Sequence, residues 1–201
     1  MKIYLIRHGK SQDAEAGISQ RWDSRLSESA KQQIITLKTE FQKIPFNKIY
    51  HSPWPRAKQT AELLFTDTKF PLEEVEYIHE YRKPRYLEGL SHSSAEKFWA
   101  EYSENTDNPD WKLDNSESFN DTLKRVEKLK RLLLSHKDTD TIGVVSHSII
   151  FNSLIGYWLM GENFNSRIFC NLLQHIHLDN LGYILIETDK EKIDIRRWHN
   201  W

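Results

Sequence analysis

The sequence predicts an α/β fold, a three-layer α/β/α sandwich whose central sheet is mostly parallel and has an antiparallel edge strand. Two apolar runs, residues 3–6 and 141–146, are continuous rather than alternating, as is typical of strands that are covered on both faces. Helical segments separate the strand-like segments, which favours right-handed crossovers between parallel strands. Near the C-terminus, Asp179 and Asn180 form a turn signal between two apolar segments, which predicts antiparallel pairing at the edge.

The first half of the chain predicts a strand, a helix, a second strand and a second helix. The polar stretch 12–25 is expected to be a loop, and the first helix is expected to begin after Ser27, whose hydroxyl can accept from first-turn amides. Pro45 ends that helix. Its apolar residues recur at helical spacing: Ile34, Leu37, Phe41 and Ile44. A short strand at 48–50 then leads through a proline-rich turn into a helix over 57–65.

The second half of the chain predicts a further strand over 73–79 and, later, the clearest helix of the protein, which begins at 116. That helix has one apolar face, formed by Phe119, Leu123, Val126, Leu129 and Leu133. Another helix follows the second apolar run and ends at Gly161. Two or three closing strands are expected in the tail, two of them at 176–178 and 182–187.

The chain of 201 residues is long enough to bury a substantial core, and one domain over 1–201 is expected. The segment 81–115 is expected to be an excursion from this domain, a lid or a substrate-specificity element, with a helix and then a loop over 91–114. Its aromatic residues are more typical of packing within a lid than of stacking on a substrate: Trp99, Tyr102 and Trp111. Trp198 and Trp201 are expected to dock on the body of the protein or on a partner.

The charge balance excludes a general attraction to polyanions, since 28 Lys and Arg residues and 29 Asp and Glu residues give a net charge of −1. No nucleic-acid or membrane partner is therefore expected, and anion recognition has to be local. Cys170 is the single cysteine, which excludes an intrachain disulfide and a cysteine-based metal site and fits a reducing compartment. Because the apolar start is too short for a signal peptide, a cytoplasmic protein is expected.

Chemically capable side chains follow several of the predicted strands. Arg7 and His8 come directly after the first apolar run, and His147 comes directly after the second. Arg56 lies near the start of a helix that follows a strand, and Glu80 lies just beyond another strand. Because ligands of α/β sheets bind outside the carboxyl ends of the strands, these side chains are expected to share one crevice. Arginine offers a planar set of donors for phosphate or carboxylate, and histidine can act as a nucleophile.

Most of the nine histidines are expected to be ordinary surface or packing residues. His8 and His147 differ because each directly follows a strongly apolar strand. The histidines without an expected catalytic role are His51, His79, His92, His136, His175, His177 and His199.

Residues 5–11, LIRHGKS, resemble the signature of the histidine phosphatase superfamily, also called the phosphoglycerate mutase-like family, whose hallmark is Arg-His-Gly after the first strand. The resemblance continues in order along most of the chain. The further matching elements are Leu26-Ser27, Ser52 to Ala57 with Thr60-Ala61, Glu80 ahead of Glu88-Gly89, Glu117-Ser118 with Arg125, and VVSHS at 144–148. The chain departs from the family pattern at Lys10, Ala14, Ser116 and Ser148, which are expected near the rim of the site.

The resemblance implies a site that transfers a phosphoryl group through a phosphohistidine. The expected assignments are, for catalysis, His8, Glu80 and His147 and, for phosphate binding, Arg7, Arg56 and His147. His8 is the expected nucleophile, and Glu80 is the expected proton donor to the leaving oxygen, with Glu88 as the alternative. The expected substrate rim consists of Lys10, Ser11, Arg82 and Arg85, with Lys83 beside them. No metal and no cofactor is expected, because guanidinium and imidazolium groups supply the positive charge.

The leading expectation is therefore a metal-independent phosphatase of the histidine acid type, acting on a small phosphorylated metabolite or on a phosphoprotein. A mutase of the phosphoglycerate mutase type is the second expectation, although the chain is short for that branch. A phosphate-binding module without turnover is the third, and the retained acid beside the nucleophile disfavours it. The only partner expected is the phosphorylated substrate, and the sequence does not predict an oligomeric state.

Overall fold

The structure, a computed structural model, describes residues 1–66, 68–190 and 192–199. Its strands in this part of the chain are β1 (Lys2–Arg7), β2 (Lys48–His51), β3 (Leu72–Glu74), β4 (Thr141–Ser146), β5 (Tyr183–Thr188) and β6 (Ile193–His199). Within the described residues these six strands form one sheet in the order β3-β2-β4-β1-β5-β6. The first four pair in parallel, whereas β5 and β6 pair antiparallel at the edge. The predicted mostly parallel sheet with an antiparallel edge is confirmed.

Helices cover both faces of the sheet. The α-helices of the described chain are α1 (Gln12–Glu15), α2 (Glu28–Gln42), α3 (Pro55–Phe65), α4 (His92–Glu104), α5 (Phe119–Leu134), α6 (Ser148–Met160) and α7 (Ser166–His175). Short 3₁₀ helices lie at Glu76–Ile78, Arg85–Leu87 and Gly161–Asn163. Among these described helices, none combines the length and the apolarity that a membrane crossing requires.

Successive residues of β1 face opposite helical layers. Ile3 and Leu5 are fully buried in the cluster that the sheet forms with α5 and α6. Ile6 is fully buried in the cluster on the other face, formed with α2 and α3. A strand with helices on both faces needs apolar side chains at every position, which is why this run is continuous. The three-layer arrangement is confirmed.

Local signals explain where several elements begin and how closely they pack. The Ser27 hydroxyl accepts from the amide of Ala30 at 3.2 Å and caps α2, as predicted. At the start of α5, Ser118 forms a capping box with Asp121. Gly143 lets β4 pack tightly, because a Cβ atom there would lie 2.5 Å from Ile49 Cδ1.

Two predictions for the early chain need correction. The stretch 12–25 is not all loop, because Ser11 caps the short helix α1. The predicted strand over 73–79 is wrong in its second part: β3 ends at Glu74, and a 3₁₀ helix follows. There the Ile78 carbonyl accepts from Ser146 Oγ rather than from a neighbouring strand.

The predicted strand at 176–178 is also wrong. This segment follows α7 and passes the C-terminal end of β1, where side chains bind its carbonyl oxygens. Asn152 Nδ2 donates to the Ile176 carbonyl at 3.0 Å, and an Arg7 N–H donates to the Leu178 carbonyl. Because side chains take these acceptors, no strand ladder forms here, and β5 and β6 close the sheet instead.

The segment 81–115 packs on α7 through aromatic rings. The ring centroids of Tyr81 and Tyr102 lie 6.1 and 5.9 Å from that of Phe169. Its function as a lid and the single-domain organisation stay predictions. At the C-terminus, Trp198 Nε1 donates to the His177 carbonyl at 3.3 Å, so this indole docks on the body of the protein. Trp201 and the His92 side chain lie outside what the structure describes.

Candidate active site

A cavity of about 760 Å³ lies beyond the carboxyl ends of the parallel strands. Four of the five predicted side chains line it: Arg7, His8, Arg56 and Glu80. The fifth, His147, packs against His8, with the centroids of the two imidazole rings 4.9 Å apart. The structure therefore brings together residues from β1, α3, β4 and the segment after the first 3₁₀ helix.

His8 has the orientation of a nucleophile. It directly follows β1 and is only 2% exposed. Its Nδ1 lies 2.7 Å from the Gly9 carbonyl oxygen, which can only accept, so Nδ1 carries the proton. The other nitrogen, Nε2, accepts from Arg56 Nε at 3.2 Å and so keeps its lone pair directed at the phosphate-binding side chains. A hydrogen bond from the Gly9 amide to Thr60 Oγ1 at 3.0 Å secures the turn.

The electrostatic environment keeps His8 neutral. Burial, followed by the guanidinium groups of Arg56 and Arg7, lowers the pKa of His8 well below its usual value, although the hydrogen bond to Gly9 opposes this shift. A nitrogen must be unprotonated to attack phosphorus. The guanidinium groups of Arg56 and Arg7 therefore favour the neutral form of His8, which is the form able to attack phosphorus.

Arg7 and Arg56 provide hydrogen-bond donors at fixed positions in the cavity. An Arg7 N–H donates to the Leu178 carbonyl, whereas its Nε is buried without a hydrogen-bond partner in the structure. Arg56 lies in the first turn of α3 and donates to the Arg21 carbonyl at 3.0 Å. Burial lowers the pKa of Arg56 to about 10, so the side chain remains charged at neutral pH. Both guanidinium groups are therefore available for phosphate oxygens.

His147 is fully buried at the N-cap of α6, directly after β4. Its Nε2 lies 2.9 Å from Ser52 Oγ, and its Nδ1 has no partner. Burial, followed by the positive charge of Arg56, lowers the pKa of His147 well below its usual value. The expected imidazolium is therefore wrong for the phosphate-free state, in which His147 is neutral. A bound phosphate dianion would raise this pKa again.

Glu80 is held by backbone amides. The Tyr81 amide donates to Glu80 Oε1 at 3.0 Å, and the Ile149 amide donates to Oε2 at 3.3 Å. The first bond is local, and the second ties the carboxylate to the first turn of α6, next to His147. Glu88, the alternative acid, also lines the cavity. The hydrogen bond to Ile149 therefore brings the Glu80 carboxylate close to His147, although these two residues are far apart in the sequence.

A buried ion pair supports the segment that carries Glu80. Arg125 binds Glu117 through two hydrogen bonds of 2.8 and 2.6 Å, and both residues are 8% exposed. Arg125 also donates to the His79 carbonyl at 2.8 Å, and Glu117 Oε2 accepts from the Arg82 amide at 3.0 Å. The matching motif in the sequence therefore positions the loop around the acid and lies outside the cavity lining.

Trp54 and His79 belong to the site although no role was expected for them. The Arg56 Cζ atom lies 4.7 Å from the Trp54 ring centroid, and the His79 ring is stacked on Trp54 at 5.6 Å and 13°. The Trp54 ring also meets the His147 ring edge-on at 5.2 Å. Burial and the nearby Arg125 lower the pKa of His79 to about 3, so this imidazole is neutral. In the sequence, the available signal for this contact was the aromatic residue Trp54, two positions before Arg56.

The structure divides the expected substrate rim into two parts. Arg82 and Arg85 are exposed and line the cavity. Ser11 does not line the cavity, because this residue is fully buried and its hydroxyl caps α1, so this rim prediction needs correction. Lys10 is exposed and is not among the described residues that line the cavity, and its role at the rim stays a prediction. Within the described residues, no group of three or more His, Cys, Asp or Glu could hold a metal ion.

This chain belongs to the histidine phosphatase superfamily (branch 1), whose sequence profile matches residues 3–200. Among similar proteins, the adenosylcobalamin/alpha-ribazole phosphatase of Salmonella typhimurium is 28% identical over 163 residues, which cover 77% of this chain and 78% of that protein.

Solved structures show the same fold. The alpha-ribazole phosphatase of Shigella flexneri has a TM-score of 0.78 at 24% identity, over 100% of this chain and 96% of that chain. The phosphoserine phosphatase of Entamoeba histolytica, solved in complex with 3-phosphoglyceric acid, has a TM-score of 0.78 at 20% identity, over 100% of this chain and 97% of that chain. The match of the family profile confirms the resemblance found in the sequence motifs, and these solved structures confirm the fold.

Proposed function

We propose that this protein is a phosphomonoester hydrolase that works through a phosphohistidine on His8. The observation that carries the proposal is the orientation of His8, whose protonated Nδ1 is fixed on a carbonyl while Nε2 faces Arg56. Two buried nitrogens beside it, Arg7 Nε and His147 Nδ1, have no hydrogen-bond partner in the structure. Because buried polar atoms are normally paired, unpaired nitrogens around a nucleophile support an anionic ligand at this place.

In the first step, the lone pair of His8 Nε2 attacks phosphorus and the bond from phosphorus to the leaving oxygen breaks. That oxygen takes the electron pair and receives a proton from the Glu80 carboxylic acid. The guanidinium groups of Arg7 and Arg56 and the His147 ring hold the three remaining phosphoryl oxygens. Each such fixed donor is worth about 3 kcal/mol, or roughly 10²- to 10³-fold in rate.

In the second step, a water molecule attacks the phosphohistidine. The Glu80 carboxylate takes one proton of that water, the new oxygen–phosphorus bond forms and the bond from phosphorus to Nε2 breaks. Phosphate leaves, and His8 returns to the neutral form with the proton on Nδ1. The protein therefore needs one carboxyl group as acid in the first step and as base in the second.

We further propose a small phosphorylated metabolite as the substrate, because a cavity of about 760 Å³ has the size of a small-molecule site. Alpha-ribazole 5′-phosphate is the first compound to test, since the relatives in Salmonella and Shigella are alpha-ribazole phosphatases. Phosphoserine follows, on the basis of the Entamoeba neighbour. A phosphopeptide panel represents the phosphoprotein alternative.

The decisive experiment compares the wild-type protein with His8→Ala. We expect the wild type to release phosphate from an aryl phosphate and to form an acid-labile, base-stable phosphoenzyme, and we expect His8→Ala to do neither. Undiminished turnover in His8→Ala would refute the proposal. A phosphoryl group that returns to a bound acceptor rather than to water would favour the mutase, and binding of phosphate without a phosphoenzyme would favour a binding module.

Independence from metal ions is part of this proposal, because the guanidinium groups of Arg7 and Arg56 supply the positive charge that a metal would otherwise provide. Turnover is expected to stay the same after exhaustive treatment with a chelator. A loss that added divalent cations restore would contradict it.

A further inference from the structure

Lys83 is a cation of the cavity wall that has no direct anionic partner among the described residues. It lies three residues after Glu80, is partly buried and lines the same cavity. Its ammonium donates to Ser19 Oγ at 2.8 Å, which is a neutral acceptor. Glu80 and Glu88 act on Lys83 through charge at a distance and form no hydrogen bond with it. An ammonium can donate three hydrogen bonds, so this site has donor capacity for a ligand.

The Ser19 hydroxyl that holds Lys83 is itself firmly placed. Ser19 is 1% exposed, its amide donates to the Leu90 carbonyl at 2.7 Å, and its carbonyl accepts from the Gly89 amide at 2.8 Å. The loop before α2 and the loop after Lys83 are thus joined by backbone hydrogen bonds. The ammonium is therefore held at one position of the cavity wall rather than extended into solvent.

Comparison with three other cations that are buried or partly buried shows what an unpaired charge means here. Arg125, which supports a loop, is neutralised by a bidentate contact with Glu117. Arg7 and Arg56, which face the predicted phosphate, have no such carboxylate contact among the described ion pairs. Lys83, like Arg7 and Arg56, has no carboxylate contact among the described ion pairs. Because a charge removed from water is unfavourable without a partner, such side chains are those whose partner is the ligand.

The balance of charge around Lys83 agrees with this comparison. Burial lowers the pKa of Lys83, and the positive charge of Arg56 adds to that effect. Glu80 and Glu88 oppose the shift without reversing it. The carboxylates of the protein therefore compensate the ammonium only in part, and an anion at this position would complete the compensation.

We infer that Lys83 binds a second anionic group, a carboxylate or a phosphate, on the part of the substrate that leaves with its oxygen. This inference rests on the proposed phosphatase function and specifies its substrate class as phosphomonoesters whose alcohol carries another negative charge. Among the compounds named above, it favours phosphoserine over alpha-ribazole 5′-phosphate, whose alcohol is a neutral nucleoside. The exposed Arg82 and Arg85 on the same loop extend the positive potential toward solvent and attract such substrates.

Two matched pairs of probes test the inference. 3-Phosphoglycerate and glycerol 3-phosphate differ by a carboxylate against a hydroxymethyl group. The bisphosphate and the monophosphate of 1,3-propanediol differ by a second phosphate. The readout is the ratio of kcat/KM within each pair, corrected for the two equivalent ends of the bisphosphate. We expect one of the two ratios to be about 10- to 100-fold in favour of the more anionic probe, which is the value of a charge-assisted hydrogen bond.

Lys83→Met is expected to bring that ratio close to one, and Lys83→Arg is expected to keep part of it. Lys31→Met is the charge-matched control, because Lys31 pairs with Glu28 on the exposed surface of α2 and lies outside the cavity lining. A general loss of activity cancels within each pair. If Lys83 instead bound the transferred phosphate, Lys83→Met would weaken both members of a pair equally.

A second measurement uses calorimetry on the His8→Ala protein and gives the ratio of dissociation constants within each pair of probes. Because this variant is not expected to turn over, the binding ratio tests the role of Lys83 separately from the proposed catalysis. Ratios near one for both pairs in the wild type, or an unchanged ratio in Lys83→Met, would overturn the inference. Absence of turnover and of a phosphoenzyme in the wild type would contradict the proposed function, and the binding ratios would still decide the role of Lys83.

Discussion

The proton of His8 has a defined place in this structure. The Gly9 carbonyl holds Nδ1–H, and Arg56 and Arg7 make a second proton unfavourable. We expect nitrogen NMR of the ring to show the neutral Nδ1–H tautomer throughout pH 5.5–8, a range in which an ordinary histidine titrates near about 6.5. A His8 ring that titrates within this range, or that carries its proton on Nε2, would contradict the assignment.

Glu80 is expected to affect turnover through proton transfer. In Glu80→Gln the amide can still occupy the place of the carboxylate, but it cannot donate the proton that the leaving oxygen needs. We expect kcat to fall by about 10²- to 10⁴-fold with an alkyl phosphate. The loss should be smaller with p-nitrophenyl phosphate, whose leaving group needs no proton.

Glu88→Gln is the matched control for this prediction, because Glu88 lines the same cavity and was the alternative acid. A dependence on the leaving group that follows Glu88→Gln rather than Glu80→Gln would exchange the two assignments.

The element that starts at β2 and continues into α3 places Trp54 between two site residues. One side of the ring meets Arg56, and the His79 ring is stacked on it. A cation–π contact contributes about 0.5–2 kcal/mol, which corresponds to roughly 2- to 30-fold in binding. We expect Trp54→Leu to weaken inhibition by inorganic phosphate or vanadate within this range and Trp54→Phe to retain most of it.

Trp99→Leu serves as the comparison for Trp54, since Trp99 lines the cavity from α4 and packs within the aromatic cluster. If both leucine variants change the inhibition constant equally, Trp54 acts through the size of the cavity and has no special effect on Arg56.

The contact of α5 with the loop around Glu80 depends on the Arg125–Glu117 pair. Removing one partner leaves a buried charge uncompensated, which costs about 3–5 kcal/mol. We expect urea unfolding of Arg125→Met to show a loss of this size. Lys31→Met, which breaks an exposed pair, should lose at most about 1 kcal/mol. Equal losses in the two variants would mean that the buried pair has no special structural importance.

For the whole molecule, the buried neutral histidines make stability depend on pH. The pKa values of His8, His79 and His147 are lowered in the folded protein, and that of His79 falls to about 3. Between about pH 6.5 and 3 the unfolded chain therefore binds more protons, so stability is complete above about pH 6.5 and is lost as the pH falls. His79 contributes up to about 1.4 kcal/mol per pH unit in this window, and the lowered pKa values of His8 and His147 act in the same direction.

His79→Phe tests this dependence, because phenylalanine can still stack on Trp54 but cannot take up a proton. We expect the free energy of unfolding from urea titrations at pH 7, 6 and 5 to fall less steeply in His79→Phe than in the wild type, by about 1.4 kcal/mol per pH unit below pH 6.5. Parallel slopes would show that His79 titrates normally in the folded state.

Across the molecule, sequence patterns were reliable where one local cause decides the structure. The continuous apolar runs of β1 and β4 are strands because both faces are covered, and Ser27 caps α2 with its own hydroxyl. The same patterns were misleading at 75–79 and 176–178. The composition of those segments is typical of strands, but side chains from distant elements bind the carbonyls of Ile78 and Ile176, and neither segment forms a strand.

Arg7, His8, Arg56 and Glu80 line one cavity, with His147 packed against His8, because each lies at the end of a strand or close after it. Chain connectivity places such positions at one edge of a parallel sheet. Ser11 was misplaced on the rim because sequence cannot show that its hydroxyl is used as a helix cap. Trp54 and His79 were missed because their role depends on a ring contact between segments that are far apart in the chain.

The sequence by itself determined the fold class and the family and predicted the phosphate-binding end of the site, since motifs at strand ends follow from local order. The tertiary structure alone decided the neutral states of His8 and His147 and the position of the Lys83 ammonium. Arg56, whose charge acts on both histidines, lies 48 positions from His8 in the chain, and Lys83 lies 64 positions from Ser19. Burial and pairing are properties of such distant contacts, and they set the protonation and the free donors on which the chemistry of this site depends.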